Sequence, residues 1–325
     1  MRILFVTPKI NARKTKKVIL RLSIYVLLLF PFHFAWPENE QSCASIIEKY
    51  TKEIQANPDN SEMYYKRGYQ NLDCKNYDQA LEDATRAIEL DQKEEKHVSS
   101  KALQDLIKTP ELKLQAKYYE LRADAFLGKH DYAKAVADYT TAAKISNYNG
   151  GDNNLAIAYC ALKQYPQAIA EMTKVIKREE SSPWNRYKNT NLAISYNNRG
   201  MYYFESGDYN SALADFNKAI ELGTGYAGYL DYVMRSLIYS RQGNFKKASE
   251  EISNLMKKWD NLEWSISYDI EKSPHPYKYF GRAFIYFLEK KYDNAWKDVH
   301  KIEELGQTVD PEFLNELKKA SGRVK

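Results

Sequence analysis

The sequence predicts an all-α fold, an α-solenoid built from stacked helical hairpins. Two observations predict it. An aromatic residue is followed three positions later by alanine at six matching points of the 325-residue chain. Around each copy, small and apolar residues recur three and four positions apart, which is the spacing of one helix face, and they do so twice per repeat. The copies are Tyr77–Ala80, Tyr132–Ala135, Tyr165–Ala168, Tyr209–Ala212, Phe245–Ala248 and Tyr292–Ala295.

Each repeat is predicted to be two helices joined by a tight turn. If the aromatic residue is position 17 of a repeat of about 34 residues, alanine is position 20 and position 8 is always small. Small residues at 8 and 20 let the two helices approach closely, and one hairpin buries its apolar face only by stacking on the next. The residues at position 8 are Gly68, Ala123, Ala156, Gly200, Ser236 and Ala283.

The residue types at these repeat positions resemble those of the tetratricopeptide repeat (TPR) family over residues 61–305. The shared features are aromatic residues at positions 4, 11 and 17, alanine at 20 and small residues at 8 and 27; Asp152 at position 4 of the third repeat departs from them. The resemblance implies a right-handed α-solenoid of stacked helix-turn-helix hairpins with capping helices, and a role in protein–protein interaction. The repeats are predicted near 61–92, 116–147, 149–180, 193–224, 229–260 and 276–305.

Two charged columns accompany the repeat. Position 7 is arginine in five repeats, and position 23 is acidic in all six. A hairpin brings these positions together, so we expect a repeated ion pair rather than the alternative, a charged binding stripe. The expected pairs are Arg67–Asp83, Arg122–Asp138, Arg199–Asp215, Arg235–Glu251 and Arg282–Asp298.

Residues 1–36 read as a signal peptide or, alternatively, as an uncleaved signal anchor. Residues 1–35 carry seven basic side chains and no acid, and Leu22–Phe30 is apolar, a length typical of a signal-peptide core. We therefore expect export to the bacterial cell envelope, in the periplasm or at the outer face of the inner membrane. Membrane association is expected only through this segment, if it stays uncleaved.

The rest of the chain offers no electrostatic reason to bind nucleic acid. The remainder holds 41 of the 48 basic side chains against 43 acidic ones. Such a balance lacks the basic excess that attracts a polyanion. We expect a protein or peptide partner and no nucleic acid.

The three cysteines are informative about whether the protein folds in an oxidising or a reducing compartment. Residues 37–60 are predicted to form an N-terminal capping helix that folds back along the first repeat, which places Cys43 beside Cys74. In an oxidising compartment we expect a Cys43–Cys74 disulfide; the alternative is two reduced neighbours. Cys160 is expected to be a packing residue.

Extra length falls between repeats and after the last one. The insertions are residues 92–115, expected to prolong helices, and residues 179–190 and 259–276, interpreted as loops. Aromatic residues of the third insertion, Trp264 among them, either contact a partner or pack on the solenoid. Residues 306–325 are predicted to form a C-terminal capping helix that begins at Asp310–Pro311.

The sequence carries no recognisable catalytic motif. It has no phosphate-binding glycine loop, no HExxH and no cysteine pair at metal-ligand spacing, and its five histidines are scattered. No cofactor or metal is expected, and an enzyme is the least favoured class.

Candidate binding residues follow from the family resemblance, which implies that the first helix of each repeat lines a concave groove. Tyr65 and Tyr69 fall there, in a mixed polar region with Lys117, Glu120 and Asp124. Further along, two asparagine pairs either bind a peptide backbone through their carboxamides or cap helices. They are Asn153, Asn154, Asn197 and Asn198.

The last repeat contributes apolar groove positions, Phe280 and Phe284. They either form a pocket for a partner's side chains or are covered by the C-terminal helix. The expected function is a non-catalytic adaptor that binds a peptide or protein in the groove. The alternative is a structural assembly scaffold that acts through its edge loops or convex face.

Overall fold

The computed structural model describes residues 40–97, 111–146, 152–182, 188–223, 228–259 and 261–323. The predicted all-α solenoid class is confirmed, since every element in these ranges is a helix. The N-terminal segment 1–36 lies outside them. The helices are α1 Glu40–Ala56, α2 Ser61–Asp73, α3 Tyr77–His97, α4 Glu111–Gly128, α5 Tyr132–Ile145, α6 Asn153–Ala161, α7 Tyr165–Ser181, α8 Lys188–Ser206, α9 Tyr209–Glu221, α10 Gly228–Arg241, α11 Phe245–Lys258, α12 Leu262–Lys272, α13 Pro276–Leu288, α14 Tyr292–Glu304 and α15 Pro311–Ser321.

The described residues fall into two compact units. We call residues 40–208, with helices α1 to α8, the N-terminal unit, and residues 209–323, with α9 to α15, the C-terminal unit. Among the helices of the part of the chain that the structure describes, none is both long and apolar enough to cross a bilayer.

Close helix contact defines each hairpin of the N-terminal unit. The position-20 residues Ala80, Ala135 and Ala168 are fully buried. A methyl group added to Gly68, at position 8, would lie 2.9 Å from Cβ of Asp83. Since real side chains do not approach this closely, only a very small residue fits there.

The hairpin turns share one backbone conformation. The residue two places before the second helix is left-handed in both units, with φ of 62° at Lys75, 58° at Lys163, 74° at Gly243 and 60° at Lys290. A residue with a Cβ adopts this conformation at a cost of about 1 kcal/mol, which glycine avoids. The turn geometry is thus fixed by the hairpin and not by glycine alone.

The predicted ion pairs are confirmed in four repeats. In repeat 2, Arg122 donates from Nε and Nη2 to both carboxylate oxygens of Asp138, at 2.7 and 2.9 Å. The guanidinium also lies over the ring of Tyr119, 5.4 Å from its centroid. The other three pairs are Arg67–Asp83, Arg235–Glu251 and Arg282–Asp298.

Helix α1 packs on α2 and brings its cysteine to the far end of the first hairpin. The Cα atoms of Cys43 and Cys74 are 6.3 Å apart and their sulfurs lie at bonding distance. The predicted proximity is confirmed. Cys160 is partly buried on α6, and burial raises the pKa of its thiol to about 12.

The C-terminal unit ends in the predicted type of cap. Asp310 accepts a hydrogen bond from the backbone N–H of Phe313 at 2.9 Å and so caps α15. Phe313 is fully buried against α13, with ring centroids 5.3 Å from Phe280 and 5.0 Å from Phe284.

The loop interpretation of residues 259–276 is wrong, because most of this insertion is helix α12. Leu262, Ile266 and Ile270 recur every four residues and are all buried, so the insertion has an apolar face of its own. Tyr229 donates to Oδ2 of Asp269 at 2.5 Å and ties α12 to α10. In the first insertion α3 extends to His97 and α4 begins at Glu111, and residues 98–110 lie outside the described ranges. The loop predicted over residues 179–190 is too long at both ends, because α7 continues to Ser181 and α8 begins at Lys188; residues 183–187 are not described.

Breaking one arginine–carboxylate pair is expected to cost more than breaking a surface pair. Arg122→Met leaves the nearly buried Asp138 carboxylate without its main donor, so we expect a loss of about 2 kcal/mol in the free energy of unfolding. The control Lys129→Met breaks an exposed pair with Asp78 and should cost below about 1 kcal/mol. Urea unfolding at neutral pH measures both; equal small losses would contradict the prediction.

Thiol counting tests the disulfide. Protein isolated from an oxidising compartment, denatured without reductant and treated with a maleimide polymer, should take up one label, at Cys160, because Cys43 and Cys74 are bonded. Reduction should give three labels. In the Cys160→Ser control, labelling should require reductant. Three labels without reductant would show that the pair is reduced.

Candidate partner-binding face

The first helices of repeats 1 to 3 lie side by side in the N-terminal unit. Helix α4 contacts both α2 and α6, so these three helices share one face. We call this surface the helix-A face, and define it by Tyr65 and Tyr69 on α2, Glu120 and Asp124 on α4, and Asp152 to Asn154 at the start of α6.

Two tyrosines form the α2 part of this face. The rings of Tyr65 and Tyr69 lie 6.3 Å apart, and Tyr65 is also 5.6 Å from the buried Tyr118. This packing holds Tyr65 half-buried, while Tyr69 remains 44% exposed. Tyr69 thus presents an aromatic surface to solvent on a supported ring.

Asp124 is fixed by groups from two neighbouring helices. Its Oδ1 accepts a hydrogen bond from Nδ2 of Asn154 at 2.8 Å and another from the hydroxyl of Tyr139 on α5. Two donors on one oxygen set the orientation of the carboxylate. The burial of Tyr139 and the negative charge of Asp124 raise the pKa of the phenol well above its usual value.

Asp152 explains why the third repeat lacks an aromatic residue at position 4. Its Oδ1 accepts from the backbone N–H of Leu155 at 2.8 Å, so the side chain caps α6. Because Asp152 caps α6 at the helix-A face, this face carries the carboxylate of Asp152 in addition to that of Asp124. Burial raises the pKa of Asp152.

Glu120 lies among these carboxylates. Burial by surrounding protein, followed by the negative charges of Asp152 and Asp124, raises the pKa of Glu120 to about 7, against the opposing effect of Lys117. One side of Glu120 is nevertheless open to solvent. A carboxyl group in this situation changes its protonation state readily when a charged group approaches.

The asparagine pairs differ in their surroundings. Asn153 is exposed at the start of α6, and Asn154 is half-buried and bonded to Asp124. Asn197 and Asn198 are buried in α8, at 6% and 5% exposure. Asn153 is therefore accessible to solvent, Asn154 positions Asp124, and Asn197 and Asn198 are largely hidden from solvent.

Phe280 and Phe284 belong to the core of the C-terminal unit. Both are buried beneath Phe313 of α15. Phe280 and Phe284 are expected from the sequence either to form a pocket for a partner or to be covered by the C-terminal helix. In the structure the C-terminal helix covers them. These side chains do not contact a partner while α15 is in place.

The sequence pattern missed two contributors. Tyr139 lies on the second helix of repeat 2, where no groove position is expected, and its hydroxyl reaches across to Asp124. Trp264 and Tyr268 lie on α12, 59% and 38% exposed, with stacked rings 5.5 Å apart. Side chains four residues apart on a helix are neighbours, so recognising α12 as a helix would have predicted that Trp264 and Tyr268 stack.

The pKa of Glu120 gives a pH-dependent stability. Because the folded chain holds this proton more strongly than an unfolded glutamate does, the stabilisation is full below pH 4.5 and is lost as pH rises towards about 7. Glu120→Gln removes this loss, so its stability relative to the parent chain should increase by about 1 kcal/mol on raising the pH, a value reduced for the solvent-exposed side.

Chemical unfolding at a series of pH values measures this difference. Glu250→Gln, which removes an exposed carboxylate from α11, is the control and should show no comparable trend. A difference between Glu120→Gln and the parent chain that does not change with pH would contradict the prediction.

Comparison with known proteins agrees with the fold. Tetratricopeptide repeat models match residues 148–225 and residues 61–94. A search among curated proteins gives no match.

Crystal structures that are similar to the chain include two bacterial examples with comparable scores. A tetratricopeptide repeat protein from Parabacteroides merdae is 17% identical with a TM-score of 0.51, over 96% of this chain and 100% of that one. BtubC (BKLC) from P. vanneervenii is 17% identical with a TM-score of 0.50, over 67% of this chain and 88% of that one. At this identity the likeness concerns the fold alone. The repeat pattern, the hairpins and the family matches agree that residues 61–94 and 148–225 are tetratricopeptide repeats, and such repeats serve as protein–protein interaction modules.

Proposed function

We propose that this chain is a non-catalytic adaptor that holds an extended segment of a protein or peptide partner against the helix-A face. The observation that carries the proposal is the exposed ring of Tyr69 on α2 together with the oriented carboxylate of Asp124 on α4 and the exposed Asn153 on α6. If Tyr69 were a core residue, its ring would be buried. If this face were only solvated, nothing would fix the orientation of the Asp124 carboxylate.

The polar groups of this face suit a peptide backbone. Asn153 is exposed and supplies both a donor and an acceptor, which an extended chain needs. Asp124 is held in one orientation by Asn154 and Tyr139, so little side-chain entropy is lost when a partner binds it. Preorganisation of this kind favours binding.

We also propose that the protein acts in the bacterial cell envelope, in the periplasm or at the outer face of the inner membrane. The basic and then apolar sequence of residues 1–36 supports export. The two cysteines at bonding distance suit an oxidising compartment. Any attachment to the membrane is through the N-terminal segment.

A second function rests on a separate surface. The stacked, exposed Trp264 and Tyr268 favour an assembly scaffold that contacts partners through α12. Exposed aromatic side chains of this size are frequent energetic centres of interfaces. This surface belongs to the C-terminal unit, so the two functions can be tested separately.

Site-specific photo-crosslinking in the producing cells tests the proposal. A photoreactive phenylalanine analogue is placed singly at Tyr69, at Asn153, at Trp264 and at Glu89, an exposed control on the second helix of repeat 1. We expect the same partner adduct from Tyr69 and Asn153 and none from Glu89, because the helix-A face surrounds the bound segment.

The pattern of adducts decides between the two functions. Adducts from Trp264 without any from Tyr69 or Asn153 would overturn binding at the helix-A face and favour the scaffold. Adducts of equal yield from Glu89 would show that the crosslinks are unspecific and would also count against the proposal.

A further inference from the structure

The hairpins show how this chain accommodates its own arginines. In repeat 2 the guanidinium of Arg122 is bonded to a carboxylate and lies 5.4 Å from the centroid of the Tyr119 ring. In repeat 6, Arg282 is held in the same way by Asp298 and Tyr279, with 5.6 Å to the ring centroid. A tyrosine face and a carboxylate thus act together as the receptor for a cation.

The helix-A face offers the same two kinds of group to solvent. Tyr65 and Tyr69 supply neighbouring rings, and α4 supplies Glu120 and Asp124. Helix α2 packs on α4, which places these rings beside the carboxylates of α4. In agreement, burial and then the charges of Glu120 and Asp124 raise the pKa of Tyr65. Aromatic and acidic groups therefore form one surface here.

The charge of this surface favours a cation. Asp152 and Asp124 both disfavour the ionised form of Glu120, and Lys117 opposes them only in part. Repulsion between like charges at close range is relieved when an opposite charge binds among them. An acidic partner would increase the repulsion, so charge complementarity selects a basic one.

We propose that the helix-A face binds an extended basic segment of a partner protein, receiving an arginine or lysine side chain between the ring of Tyr69 and the carboxylates of Glu120 and Asp124. This inference rests on the proposed adaptor function and names the chemistry of its partner. Asn153, at the edge of the face, is placed to bond the backbone of the same segment.

Binding to a synthetic peptide pair tests the charge requirement. The probe is a fluorescein-labelled peptide in which arginines alternate with glycine and serine, and its control replaces each arginine by uncharged citrulline. Fluorescence anisotropy with the full-length protein should show binding of the arginine peptide that is roughly tenfold tighter than that of the citrulline peptide and that weakens with salt. Equal binding of the two peptides, or no binding of the arginine peptide, would overturn the inference.

Matched variants locate the binding. Tyr69→Ala and Glu120→Gln should each weaken binding of the arginine peptide by about two- to fivefold, whereas Tyr69→Phe keeps the ring and should stay near the parent value. Glu250→Gln removes the same charge from α11 and should have no effect. Equal losses in Glu120→Gln and Glu250→Gln would mean that general charge, and not this face, attracts the peptide.

Proton release gives an independent measurement. Near pH 7 Glu120 is partly protonated, and a bound cation should expel that proton. Calorimetry in two buffers of different ionisation enthalpy should detect the release in the parent chain and its loss in Glu120→Gln. Release that persists in the variant would exclude Glu120 as the responding group.

The outcomes separate this inference from the adaptor function. If crosslinks from Tyr69 and Asn153 identify a partner whose bound segment is neutral or acidic, the basic-segment inference fails and the adaptor function stands. If no partner is crosslinked at this face and the arginine peptide does not bind there, both fail.

Discussion

Close packing between the two helices of a hairpin is the constraint on which the structure depends. Alanine at position 20 is fully buried in all six repeats. In repeat 5 the contact is close enough for the hydroxyl of Ser236 to donate to the carbonyl of Ala248 at 3.0 Å. Because the helices are held at this distance, a long side chain from one reaches the other, and Arg122 meets Asp138. The ion pairs are thus a result of the close packing.

Hairpin contacts could be predicted from sequence because they depend on spacing within one repeat. The arginine–acid pairs and the proximity of Cys43 and Cys74 both follow from folding two helices about a turn. Exposure could not be predicted in this way, since neighbouring elements decide it. Asn197 and Asn198 have the same repeat positions as Asn153 and Asn154, yet they are buried. A periodic pattern identifies a helix face and does not say what lies against it.

The helix-A face illustrates a conflict between stability and binding. The charges of Asp152 and Asp124 both disfavour ionisation of Glu120, and Lys117 offsets them only in part. Asp152 is nevertheless held in place by its cap of α6, and Asp124 by the hydrogen bond from Asn154. The chain carries this repulsion where aromatic surface is also exposed. Perturbed carboxyl groups are frequent at functional sites, which supports the proposed role of this face in binding.

Helix α15 has a consequence for growth of the array. The number of stacked hairpins is not limited by the stacking itself, because each hairpin has an apolar side on which a further hairpin can pack. Phe313 fills that side at α13, and the capped start of α15 fixes it there. The apolar side of α13 is therefore already covered, and a hairpin of a second molecule could not stack on it while α15 is in place. A molecule that approached α13 from this side would meet the outer side of α15, where Asn315 and Lys319 are exposed, instead of an apolar surface.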